Sequence, residues 1–207
     1  MKKTILFFAI LALVNCGFGQ QKHNKYAVKS GHIKYEISGN TKGTKEIWWD
    51  NYGDISRTEV NTVTTTRFLG TTSETKTHTL NIMKGDKFWS IDYINNTAQK
   101  GTSVIYEETA EIANSMTEAE AKKLGEEILA SMGGERLGTE TFMGKPCEVV
   151  SLLGVKSWIY KGLLLKSEGN LLGFKTNETA VKFDENISVP ASRFVAPTDV
   201  TYTEINY

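Results

Sequence analysis

Two long stretches of the chain, Gly31 to Lys100 and Arg136 to Asn186, alternate apolar and polar side chains with a period of two, and one segment between them follows the helical period instead. A chain patterned this way has to build a sheet with a helix set into it. Ile33, Tyr35 and Ile37 alternate with Lys34 and Glu36, the mark of a half-buried strand. Thr44 to Asp50 is a second strand carrying Ile47, Trp48 and Trp49, followed by the turn-forming Asn51-Tyr52-Gly53-Asp54. Thr58 to Thr79 holds ten threonines, a β-branched composition that favours extended backbone. It reads as two long hairpin strands around Gly70 with one wet face. His78, Leu80 and Ile82 then enter Lys84-Gly85-Asp86-Lys87, and the chain returns through Trp89, Ile91 and Tyr93. Gly85 at the first central position predicts a type II′ turn.

The helical segment is bounded by its own signals. Thr117 and Glu120 form a capping box, acidic residues fill the first turn, and Gly133-Gly134 ends the helix. Between them Ala121, Leu124, Ile128, Leu129 and Met132 make one apolar stripe, with Gly125 on it as a point of expected close backbone approach. Just upstream, Ile105, Thr109, Ile112 and Met116 fall at helical spacing, although Val104-Ile105-Tyr106 could equally finish a strand. After Gly134, four short strands are expected at Arg136 to Phe142, Cys147 to Leu153, Val155 to Lys161 and Leu163 to Glu168, with a further one at Lys175 to Asn186. Pro190 and Pro197 bracket a last irregular segment ending in Tyr202 and Ile205. The expected fold is α+β, mainly β: one antiparallel sheet interrupted by a helix near residues 117–132, forming a single domain over residues 20–207.

Charge and the N-terminus bear on compartment and partners. Lys2 and Lys3 precede ten consecutive apolar residues, Ile5 to Val14, the pattern of a secretory signal and too short to span a bilayer. Gly17 and Gly19 place small residues for cleavage before Gln20, so residues 1–19 are expected to be a signal peptide and the mature chain to be periplasmic or extracellular. Lipidation at Cys16, which would make an outer-membrane lipoprotein, is the competing reading; Asn15 stands where that pattern prefers a small residue. The mature chain would carry 22 basic and 24 acidic residues. That near-neutral balance is wrong for a phosphate-tracking surface, so nucleic acid is excluded as a partner.

No residue set rises to a catalytic signature. His23, His32 and His78 are the only histidines, and none has a nucleophile motif nearby. Cys147, the one cysteine left after cleavage, reads as a small buried hydrophobe, and no spacing suits a metal. The adjacent carboxylates Glu107-Glu108, Glu126-Glu127 and Asp184-Glu185 point to different sides of a helix or strand and read as solvated faces. Neither cofactor nor enzymatic activity is expected. The aromatics are the unusual inventory. Trp48 and Trp49 are consecutive, so if one lies in the core the other must meet solvent, a covering segment or a ligand, and Leu163-Leu164-Leu165 likewise places apolar groups on both faces.

Three phrases, Ile47-Trp48-Trp49-Asp50-Asn51-Tyr52-Gly53, Gly85-Asp86-Lys87-Phe88-Trp89-Ser90-Ile91-Asp92 and Lys156-Ser157-Trp158-Ile159-Tyr160-Lys161-Gly162-Leu163-Leu164-Leu165-Lys166, sit in a strand, helix, strand order. In that order and in those phrases the chain resembles the lipoprotein-localisation (Lol-type carrier and receptor) superfamily, in particular its secreted Bacteroidetes relatives. The resemblance implies a curved half-barrel with one or two helices packed on its concave face and an apolar groove between them. On that reading the chain is an exported binding or carrier module for an acyl chain, lipid or lipoprotein. The expected ligand contacts are Trp89, Ile91, Tyr93, Leu124, Ile128, Met132 and Trp158. The alternative is a cell-envelope structural or protein-interaction domain whose core is filled and whose partner is another envelope protein.

Overall fold

The computed structural model describes residues 24–103, 112, 115–171 and 173–206. The leader, Cys16, His23, Glu107-Glu108 and most of the segment from Ile105 to Met116 lie outside the described residues. Twelve strands form one open, curved sheet: β1 (Gly31–Gly39), β2 (Thr41–Asp50), β3 (Ile55–Phe68), β4 (Thr71–Lys84), β5 (Lys87–Asp92), β6 (Thr97–Thr102), β7 (Glu135–Phe142), β8 (Lys145–Leu152), β9 (Val155–Tyr160), β10 (Leu163–Leu171), β11 (Phe174–Glu185) and β12 (Thr203–Asn206). Their order across the sheet is β12-β6-β5-β4-β3-β2-β1-β11-β10-β9-β8-β7. The helix α1 (Glu118–Ser131) stands between β6 and β7 in sequence. The architecture is the expected mainly-β α+β fold.

Local chemistry explains each corner. Gly85 has φ +59° and is the one central residue of the β4–β5 turn with positive φ, as a type II′ turn requires. Thr117 accepts the Glu120 amide at 3.3 Å while the Glu120 carboxylate accepts the Thr117 amide at 2.8 Å, completing the capping box. At the other end of α1 the Gly133 amide donates to Ala130 and the Gly134 amide to Leu129, a full Schellman motif.

Long-range pairing joins the two halves of the chain, since β1 pairs with β11 from Gly31↔Glu185 to Gly39↔Thr176. Across this seam the sheet curls. Strands two places apart would lie about 10 Å from each other in a flat sheet, yet the rings of Tyr160 and Phe183 approach to 5.9 Å and those of Trp49 and Phe183 to 6.4 Å. The Tyr35 hydroxyl likewise reaches over β11 to donate to the Leu164 carbonyl at 2.6 Å. The resulting main core contains Ile33, Tyr35, Trp49, Cys147, Val149, Trp158, Tyr160, Leu163 and Leu165, with Tyr26 and Val28 from the segment before β1.

The C-terminal segment departs from expectation. After β11 it crosses the sheet through a short 3-10 turn, Ala191–Phe194, and residues 203–206 add to the far edge as β12, parallel to β6. The sheet is therefore mixed at this edge rather than wholly antiparallel. The parallel direction follows from the crossing, which brings the chain back alongside β6 in the same sense. Gly101 makes the pairing possible, because a Cβ there would collide with the Ile205 carbonyl.

Candidate functional site

Side chains alternate across β8, β9 and β10 so that both faces are apolar. Val149, Trp158, Leu163 and Leu165 enter the main core, whereas Val150, Leu152, Ile159 and Leu164 face the opposite way and meet the helix. This is the structural meaning of the three consecutive leucines. Helix α1 docks there through Leu129, which is 4% exposed, and buries Ala121 and Gly125 on the same row. Small residues at i and i+4 let the helix lie close to its neighbours. The longer apolar side chains Leu124, Ile128 and Met132 form a second row flanking the first, and all three are only half-buried. Met132 and Leu164 border the docked cluster. The junction thus leaves a strip of incompletely covered apolar surface along one flank of the helix.

The seven residues expected to share one groove divide into three places. Leu124, Ile128 and Met132 flank α1 as described. Trp158 is 5% exposed in the main core, on the other side of the sheet from the helix, with Glu140 accepting its indole N–H at 2.7 Å. Lys156 and Lys166 hold their ammonium groups 4.5 and 4.3 Å from its ring. Trp89 and Ile91 belong to a separate cluster with Leu80, Ile82 and Ala98, and what covers them is the C-terminal segment through Ala196, Val200 and Tyr202. Tyr93 falls just past β5, 37% exposed, with its ring 4.5 Å from that of His78. The expectation that the Trp89 face lies beneath the helix thus gives way to burial under a segment with no periodicity to announce it.

The tandem tryptophans resolve in the same manner. Trp49 is fully buried and donates its N–H to the Val28 carbonyl at 3.0 Å. Trp48, on the other face, stacks on His32 at 3.8 Å, and the Arg193 guanidinium lies 4.5 Å from its ring centre. His32 in turn meets the Glu46 carboxylate at 2.6 Å and stands 3.6 Å from Asp184. His32 and His78 lie in strands, as expected, whereas the Arg193 cover of Trp48 has no periodic pattern behind it. Its only signal in the sequence is an arginine between Pro190 and Pro197.

Among the described residues every carboxyl displaced from its ordinary range goes down. Hydrogen bonds from Lys156 and Trp158 lower Glu140, and a hydrogen bond from Lys182 lowers Asp184. For Glu59, partial burial pushes upward, but hydrogen bonds and charge from His78 and Arg57 win and leave it low. Burial pushes the Tyr35 hydroxyl well up and the Cys147 thiol up as well, away from a nucleophilic thiolate. Among the described residues no group of three or more His, Cys, Asp or Glu could hold a metal ion, and no helix is long and apolar enough to cross a membrane. A depression of about 470 Å³ between the β1–β2 hairpin and β11 is broadly open and lined by Glu36, Ser38, Thr44 and Thr179 beside Ile37 and Val181.

No protein-family model matches the chain, and no curated protein matches it. Among solved structures it is similar to an uncharacterized conserved protein from Thermus thermophilus, with a TM-score of 0.51 at 8% identity over 99% of this chain and 100% of that one. The likeness shows a shared fold. The chain also aligns with the structure of the Pseudomonas aeruginosa MucA/MucB complex at a TM-score of 0.47 and 12% identity, over 99% of this chain and 64% of that one. Against LprF from Mycobacterium bovis the TM-score is 0.35 at 10% identity, over 89% and 96% of the two chains.

Proposed function

We propose that the chain is an exported, non-enzymatic binding module that takes an apolar chain, such as the acyl chain of a lipid or lipoprotein, along the flank of α1 where Leu124, Ile128 and Met132 meet the sheet. The observation that carries this reading is the half-burial of three long apolar side chains at i, i+4 and i+8, beside a row of small residues that does the docking. Eight residues of helix span about 12 Å, a length suited to a medium acyl chain.

One observation favours the alternative, a protein-interaction domain of the cell envelope. The two other clusters are filled by the chain itself, Trp49 and Tyr35 in one and the C-terminal segment over Trp89 in the other. The readings part under titration of the mature chain with a fatty acid carrying an environment-sensitive fluorophore. The acyl reading expects saturable binding that Ile128→Asn weakens about tenfold, through loss of roughly 1.4 kcal/mol of apolar contact. Trp89→Ala should leave the affinity unchanged, since Trp89 lies under the C-terminal segment. Absence of saturable binding by the wild-type chain would remove the acyl reading and leave the interaction domain.

A further inference from the structure

The long β3–β4 hairpin outruns both of its neighbours. β2 pairs with β3 only as far as Thr41↔Thr64, and β5 pairs with β4 only from Thr79↔Asp92 to Lys84↔Lys87. The two free flanks differ. On the β3 side Asn40 closes the corner, its carbonyl accepting the Thr65 amide at 2.8 Å and its side-chain amide reaching the Thr65 carbonyl. On the β4 side no strand among the described residues pairs beyond Thr79, and residues 71–76 are exposed on both faces. Other edges of the sheet are blunted. β12 covers β6, and a register shift at Arg136/Gly138 interrupts β7.

The backbone phase of this free edge can be assigned. The Tyr93 amide donates to the His78 carbonyl at 2.9 Å, so the main-chain groups of His78 point to the β5 side. With the alternation of an antiparallel strand, those of Lys76, Glu74 and Thr72 point the same way, outward, while Thr75 turns its own toward β3, opposite Thr64. We propose that this edge is an interface for a second copy of the chain, the two β4 strands pairing antiparallel about a twofold axis at Thr75.

Charge selects that register. Centred on Thr75, Glu74 of each copy stands directly opposite Lys76 of the other. Both residues carry outward main-chain groups, so each pair also exchanges its two backbone hydrogen bonds. A twofold axis at Glu74 or Lys76 would set like charges face to face, and an axis at Thr77 would set Thr75 opposite Thr79, which pairs with Asp92; the axis at Thr75 confines the new ladder to residues 73–77 and leaves His78 to Tyr93. A lone lysine on an edge blunts it against other chains. Glu74 and Lys76 straddling one threonine instead make the edge complementary to itself, as an isologous contact requires.

The test is sedimentation equilibrium of the mature chain with two charge variants. Wild type should show a monomer–dimer equilibrium that weakens as salt is raised. Glu74→Lys alone sets a new lysine opposite Lys76 of the other copy, and Lys76→Glu alone sets a new glutamate opposite Glu74, so each variant should self-associate at least about tenfold more weakly. An equimolar mixture of the two variants restores opposite charges at every position and should associate at least as well as wild type. Substitutions at exposed positions leave the fold intact, which far-ultraviolet circular dichroism of each variant confirms. A wild-type chain that stays monomeric at millimolar concentration, or a mixture no more associated than its components, would overturn the proposal.

Discussion

Truncating Leu129 and Ile128 in turn separates the row that docks α1 from the row that flanks it. Leu129 is 4% exposed and packs with Val150, Leu152 and Ile159; its Cδ1 also fills the space beside Gly134. Leu129→Ala removes three carbon groups, each contributing about 0.8 kcal/mol of transfer free energy, or about 2.4 kcal/mol together. The cavity left between helix and strands adds to this, for an expected loss of about 3 kcal/mol within the usual ~2 to 5 range. Ile128 loses the same number of carbons, but it is only partly buried on the flank of the helix, so Ile128→Ala should cost less, about 1 to 2 kcal/mol. Urea denaturation followed by tryptophan fluorescence and circular dichroism reads both as shifts in midpoint at constant slope. Equal losses, or a larger loss for Ile128, would mean that the helix is rotated about its axis so that the Ile128 row does the docking. A near-zero loss for Leu129→Ala would mean that α1 is not part of the cooperatively folded unit.

Three further outcomes follow from the same structure. Because the folded Glu59 carboxyl lies below its ordinary value, its contribution to stability is present above the unfolded value and is lost as pH falls through the folded one; His78→Gln should therefore raise the Glu59 pKa in a carbon-detected NMR titration and move the onset of acid unfolding to higher pH. Phe194 is 4% exposed at the crossing of the C-terminal segment, so Phe194→Ala should cost about 3 to 5 kcal/mol, with proteolysis between residues 186 and 206 accelerating before the rest of the chain is cut. Cys147, fully buried and with its thiol pushed up, should react with an aromatic disulfide reagent only as fast as the protein opens, and modification at the rate of a free thiol would contradict its placement in the core.

What the sequence made legible was whatever a local rule governs. Alternation located the strands, Thr117 and Glu120 marked the start of the helix, Gly133-Gly134 its end, and Gly85 the hairpin. The opposed facing of Trp48 and Trp49 followed from strand geometry alone. The C-terminal crossing was illegible for the corresponding reason. Ala191 to Tyr202 has no period, and its apolar residues Phe194, Ala196 and Val200 find their places only because β11 ends at one point of the sheet and β6 offers an edge at another. The phase of the helix was half legible. Apolar character ranks Leu124, Ile128 and Met132 as high as Leu129, but close docking favours the row with small side chains, Ala121 and Gly125, which an apolar stripe does not distinguish.

The missing information concerns which sheet face each covering segment takes, and it bears directly on where the chain could bind anything. A strand buried on both faces needs apolar residues in sequence, as in Trp158-Ile159-Tyr160 and Leu163-Leu164-Leu165, and the sheet meets that need with two different covers: its own curl on one side, a helix on the other. The curl is closed by aromatic rings, with Trp49, Tyr160 and Phe183 spanning neighbouring strands, so it holds its geometry without a ligand. The strap over Trp89 is anchored by Phe194, by Arg193 on Trp48 and by β12 on β6. It covers a face that a ligand would otherwise have to share. Helix α1 is the least committed of the three covers. Its docking rests on Leu129 and two small residues, and its larger apolar side chains remain partly exposed. Binding of an apolar chain there, as proposed, would complete burial already begun, needing neither the core to open nor the strap to leave.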